Sequence, residues 1–186
     1  SKIMGMALTS GGHLSHGQKV SITGKAWTPL TYIVDPETEM LDYDYVEELA
    51  KSEKPAIIVA GFTAYPREVD WKRFRKIADE CGALLMVDMS HLAGLIAGKA
   101  YPSPFPYADV VTTTTHKTLR GPRGAMIFSK IDARELNKKI DKAVFPGLQG
   151  GPHMNQVAAI AVSLYEVKTN DFKNYISQVI KNAQVL

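Results

Sequence analysis

Three short stretches combine residue types that can do chemistry together. Asp88 closes an apolar run, residues 83–87 (ALLMV), where a carboxylate is unfavourable unless it is paired. Its plain role would be to cap a following helix; its chemical role would be to face a buried cation, and a protonated pyridine nitrogen is one. Lys117 lies in residues 112–118 (TTTTHKT), ahead of residues 119–124 (LRGPRG). Among 22 Lys and Arg an exposed amine is the ordinary expectation. A stiff loop punctuated by glycine, however, can hold a lysine against a planar aldehyde and offer hydroxyls and amides to a phosphate. An acid for a ring nitrogen and an amine for an aldehyde are together what pyridoxal phosphate requires. The competing reading of the lysine stretch is a phosphate or nucleic-acid loop.

Histidines supply the third group. His13 and His16 sit in residues 11–17 (GGHLSHG) and His91 in residues 88–91 (DMSH). Imidazole and carboxylate at such spacings suit zinc, and a metal-dependent hydrolase using His13, Asp88 and His91 is the rival from another class. The spacing alone is unspecific, and no metal site is assigned. Gly150 and Gly151 fit either an anion-binding nest or a plain turn before a helix near Met154.

The elements that must position these residues read as alternating strands and helices. Residues 4–24 look loop-like, with glycine and histidine throughout. Residues 30–34 are β-prone and stop at Asp35-Pro36. Asp42 can cap a helix reaching about Lys51. Residues 56–60 (AIIVA) make a strand of apolar residues, and Asp70 then opens a helix with Trp71, Phe74, Ile77, Ala78 and Cys81 at helical spacing and Gly82 as its C-cap. Residues 83–87, the pair Val110-Val111 with its threonines, and residues 125–128 supply further strands; from Ile131 the chain reads as mostly helical. Near-continuous apolar strands between amphipathic helices predict an α/β fold, a mostly parallel sheet covered by helices on both faces. In such sheets ligands bind beyond the carboxyl ends of the strands, which is where residues 61–65, 88–91 and 115–117 fall.

Bulk properties narrow the classes. With 186 residues, 45% hydrophobic and 22% charged, the chain can bury a core of one domain. A net charge of +3 with the signs interleaved points to no nucleic acid and no membrane surface. No apolar run is long enough to span a bilayer, and the start lacks the pattern of a signal peptide. The single cysteine, Cys81, suits a reducing compartment, so a cytoplasmic protein is expected. The absence of an initial Met and an end inside a helical stretch lead us to expect a piece of a longer protein.

Four segments carry a resemblance: residues 11–17, residues 87–91 (VDMSH), residues 110–124 (VVTTTTHKTLRGPRG) and residues 143–152 (AVFPGLQGGP). In these the chain resembles the serine hydroxymethyltransferase family of fold-type I pyridoxal-phosphate enzymes, over essentially its whole length. The resemblance implies that residues 1–186 are the central part of the cofactor-binding large domain, without the N-terminal segment and the C-terminal small domain. It implies a transferase of one-carbon groups that interconverts serine plus tetrahydrofolate with glycine plus 5,10-methylenetetrahydrofolate.

Roles follow residue by residue from the resemblance. Lys117 matches the lysine that holds pyridoxal phosphate as a Schiff base, and His116 the neighbour linked to reaction specificity. Asp88 matches the partner of the pyridine nitrogen, His91 the histidine near the cofactor's ring oxygen, and His13 the imidazole stacked on the ring. Thr63 stands where a serine usually lies beside the cofactor, and Arg123 matches the arginine after the lysine. Leu8, Gly12, His13 and Leu14 match the stretch that contacts the folate. Gly150 and Gly151 match a loop reaching the neighbouring subunit's cofactor phosphate, which implies a homodimer or homotetramer. Ser15, Ser90 and Ala125 replace the usual Thr, Ala and Gly. Because the substrate-gripping segments are outside these residues, the isolated chain is expected to be inactive. A folate-free aldolase of β-hydroxy amino acids and a catalytically silent fragment are the alternatives.

Overall fold

The computed structural model describes residues 1–132 and 134–186. The chain divides into two compact units, Ser1–Met89 with Pro104–Val111, and Ser90–Ser103 with Thr112–Leu186.

The first unit is built on β1 (Lys2–Met6), β2 (Thr28–Tyr32), β3 (Ile57–Gly61) and β4 (Leu84–Asp88). Between them lie α1 (Ile22–Ala26), α2 (Tyr43–Glu53) and α3 (Trp71–Cys81). β1 pairs in parallel with both β2 and β3, and β3 with β4. Asp42 accepts the amides of Asp44 and Tyr45 at the start of α2, as its sequence position predicts. Asp70 caps α3 through the Arg73 amide, and Gly82 ends it at φ 74. The buried face of α3 is Trp71, Phe74, Ile77 and Ala78. These pack with Met4, Tyr32, Val46, Ile58, Leu85 and Val87 into a core.

β5 (Val110–Thr114) begins in the first unit and ends in the second, which also holds α4 (Ala93–Ala97), β6 (Ala125–Ser129), α5 (Leu136–Lys142), α6 (Met154–Glu166) and α7 (Asn170–Val185). Six strands follow the order β2-β1-β3-β4-β5-β6 in one sheet. The α/β class and the mostly parallel sheet therefore match the expectation. In the second unit Phe172 and Ile176 of α7 are buried, and Gly98 leaves room for Ile176, whose Cβ lies 2.9 Å from where a Gly98 Cβ would be. No described helix is long and apolar enough to cross a membrane.

Two details differ from the sequence reading. Residues 4–24 are not one loop: β1 takes their first residues, two single 3-10 turns follow (Leu8–Ser10 and Leu14–His16), and α1 closes the stretch. The strand expected at residues 30–34 ends at Tyr32, and Val34 instead forms an isolated antiparallel bridge with Leu41.

Candidate functional site

Asp88 is the last residue of β4, directly across from Gly61, the last residue of β3. The two backbones come so close there that a Cβ on Gly61 would lie 2.9 Å from the Asp88 Cβ and collide with the Asp88 carbonyl. Only glycine fits. The helix after Asp88 does not use it as a cap, because α4 begins at Ala93 with Leu92 in the capping position. The plain role is thereby removed.

The carboxylate is held by a residue the sequence reading considered only as a metal ligand. His16 Nε2 donates to Asp88 Oδ2 at 2.8 Å, and the two side chains are 3% and 18% exposed. With its proton on Nε2, a neutral His16 leaves Nδ1 as an acceptor, and that atom is buried without a partner among the described residues. Gly5 makes the placement possible: a Cβ there would lie 2.7 Å from the His16 carbonyl oxygen. The signal available in the sequence was the glycine inside an otherwise apolar strand, together with the second histidine of residues 11–17.

The loop after β1 brings His13 beside this pair. Gly11 and Gly17 adopt φ 100 and φ 112 at the ends of the two 3-10 turns, conformations open to glycine. The His13 and His16 rings lie 5.5 Å apart. His13 Nδ1 accepts the Ser15 amide at 3.2 Å, with Ser15 Oγ at 2.8 Å. The amide bond leaves the proton of a neutral His13 on Nε2. Thr63 is exposed, and its amide donates to the Gly11 carbonyl at 2.7 Å, tying the loop after β3 to the glycine turn. Gly12 is buried, and a Cβ there would run into the Met6 carbonyl. Leu8 and Leu14 each stand 45% exposed, apolar surface presented to solvent. The first unit thus gathers Asp88, His13, Thr63, Leu8, Gly12 and Leu14 around one loop.

In the second unit the half-buried Lys117 sits in a tight turn. The Arg120 amide donates to the Lys117 carbonyl at 2.9 Å, with Arg120 at φ 61, and the Gly121 amide donates to the Thr115 carbonyl at 2.7 Å. Thr115 closes the loop further, its amide on Gly124 and its hydroxyl on the Pro122 carbonyl at 2.6 Å. Thr118 Oγ1 accepts the Gly94 amide and donates to the His91 carbonyl, both at 2.9 Å. The turn that carries the lysine is therefore fastened to the segment that carries His91. Thr114 Oγ1 and His116 Nδ1 are buried and have no hydrogen-bond partner among the described residues, although buried polar atoms are ordinarily satisfied.

Arg123 is exposed, and Gly150 and Gly151 are exposed with open space where a side chain would be. α6 starts at Met154 as expected, with His153 in the capping position. Among the described residues no group of three or more His, Cys, Asp or Glu is placed to hold a metal ion.

The family model for serine hydroxymethyltransferase matches residues 1–186. The serine hydroxymethyltransferase of Desulfotalea psychrophila is 60% identical over 184 residues, covering 99% of this chain and 42% of its own length. That of Lactobacillus johnsonii is 56% identical over 184 residues, covering 99% and 44%, and that of Legionella pneumophila is 56% identical over 183 residues, covering 98% and 44%. The chain spans less than half the length of the curated relatives it matches.

Proposed function

The chain belongs to the serine hydroxymethyltransferase family, and on that premise we propose that the whole protein interconverts serine plus tetrahydrofolate with glycine plus 5,10-methylenetetrahydrofolate, using pyridoxal phosphate on Lys117. The observation that carries this reading is the Asp88 carboxylate held at a strand end by a buried histidine at 2.8 Å. An acid fixed in this way suits a ring nitrogen that must stay protonated. The buried and unsatisfied His16 Nδ1, Thr114 Oγ1 and His116 Nδ1 suit a polar ligand as well.

Within this reading, Lys117, Asp88, His91, His13, Thr63, Arg123, Gly150 and Gly151 hold the cofactor. When bound, pyridoxal phosphate supplies the sink for the electron pair released as a bond to the amino acid's α-carbon breaks. The protein's residues do the rest. Asp88 would face the ring nitrogen, and His16, donating to its Oδ2 at 2.8 Å, orients the carboxylate. The Lys117 amine would hold the cofactor through its aldehyde. His91 and His116 offer imidazole nitrogens for hydrogen bonds and proton movement. His13, with its Nδ1 committed to Ser15, keeps a fixed tautomer and a fixed ring plane for stacking.

The exposed Leu8 and Leu14, with Gly12 and His13, would receive the folate. This is the ground for preferring a folate-dependent transferase to a folate-free aldolase. The open Gly150-Gly151 loop would reach a neighbouring subunit, as a homodimer or homotetramer. The composition and the free Cys81 are compatible with the cytoplasm. The test is serine cleavage by the full-length protein with and without tetrahydrofolate. We expect a rate that rises at least tenfold with folate; a rate indifferent to folate would establish the aldolase instead.

A further inference from the structure

We propose that Ser90 is a positioning residue for Lys117, acting through the backbone of Thr114; the inference rests on the role of Lys117 given above. Ser90 is 7% exposed, and its Oγ accepts the Thr114 amide at 3.0 Å. Thr114 is the last residue of β5. A half-buried amide at a strand end is best satisfied by an acceptor outside the regular ladder, and here that acceptor is the side chain of the buried Ser90.

The same short segment meets the lysine turn a second time. Thr118 Oγ1 accepts from Gly94 and donates to the His91 carbonyl, both at 2.9 Å. The approach is close, for a Cβ on Gly94 would lie 2.8 Å from the Thr118 Cβ. One anchor therefore lies before Lys117 and one after it, and both lead to residues 90–94, which include His91. Between the anchors the chain is held by the bonds from Arg120 to Lys117 and from Gly121 to Thr115, at 2.9 and 2.7 Å. The lysine's backbone is thus set by its neighbours, leaving the side-chain torsions as its freedom. A catalytic group misplaced by about 1 Å loses on the order of a hundredfold in rate, so an anchor on this backbone acts on the amine. The Ser90 hydroxyl also fixes the lysine turn relative to His91, whose chain neighbour it is.

The experiment compares Ser90→Ala and Ser90→Thr in the full-length protein carrying pyridoxal phosphate. Hydrogen exchange at the Thr114 amide reads the anchor without reference to turnover. Ser90→Ala should speed that exchange by roughly tenfold. It should also shift the pH midpoint of the lysine-bound cofactor's absorbance and lower kcat while KM changes less than about twofold. Ser90→Thr keeps the hydroxyl and should restore all three. If Ser90→Ala does not fold, Ser90→Cys, with a weak acceptor of similar size, takes its place for the same readings.

Unchanged Thr114 exchange in a folded variant would overturn the inference. So would faster exchange with an unmoved pH midpoint, because Ser90 would then hold the strand without positioning the lysine. A parent protein with no lysine-bound absorbance would sink the functional reading itself, while Thr114 exchange would still report on the anchor.

Discussion

His16 and Asp88 show what one pair of side chains contributes. A hydrogen bond to a charged partner is worth about 1.5–3 kcal/mol, so losing His16 should be felt at the carboxylate more than in the core. His16→Ala is expected to weaken retention of pyridoxal phosphate in the full-length protein by about 10- to 100-fold, measured by dilution and absorbance; unchanged retention would remove His16 from the site. Asp88→Asn is a stronger test of the same chemistry. It keeps the shape but removes the negative charge that, in the proposed role, would sustain a protonated ring nitrogen, so kcat/KM for serine should fall by about a thousandfold or more, on the order of 4 kcal/mol in the barrier. A variant that keeps nearly full activity would show that no ionised acid is needed there. Lys117 and Asp88 stand out in the sequence as candidates because each breaks the pattern around it, an acid ending an apolar strand and a lysine that follows four threonines and a histidine. His16 was not legible as Asp88's partner: the two are 72 residues apart, and their contact depends on a glycine in β1 opening the way.

The elements are held by a few polar devices set in an apolar interior. Asp109, 5% exposed, accepts both Arg75 at 2.7 Å and the Leu85 amide at 2.8 Å, joining α3 and β4 to the start of β5. Breaking a buried pair leaves the other partner uncompensated, so Asp109→Ala should lower stability by about 3 kcal/mol in denaturant titration, whereas a loss below about 1 kcal/mol would mark the contact as dispensable. Tyr43 gives the fold an alkaline limit. Burial pushes its phenol from 10.0 up to about 12, with the charges of Tyr65, Asp70 and Glu68 adding to the rise. A raised folded value favours the neutral phenol. The stability it brings is present in full below about pH 10 and is lost as pH climbs from there toward 12. Tyr43→Phe should flatten that part of the stability profile; an unchanged alkaline slope would assign it to other groups. The helices α2 and α3 were readable from their acid caps and, for α3, its terminal glycine, as were β3 to β6 from their apolar or threonine-rich runs. β1 was hidden because Gly5, needed to admit His16, made it look like part of the glycine loop that follows.

At the scale of the whole molecule, the 186 residues match between 42 and 44% of the length of the relatives compared. On α6, Val157, Val162 and Tyr165 are 45, 61 and 74% exposed, apolar surface of the kind that an interface covers. We therefore expect the isolated chain to bind a hydrophobic dye strongly and to cleave serine at below about one hundredth of the rate of the full-length protein; comparable rates would show that residues 1–186 suffice. Whether Lys117 carries the cofactor is decided most directly in that full-length protein, by borohydride reduction followed by mapping of the modified peptide. The predicted result is loss of the cofactor's visible absorbance and a phosphopyridoxyl label on Lys117 alone. A label on another lysine, or a protein that takes up no pyridoxal phosphate, would contradict it.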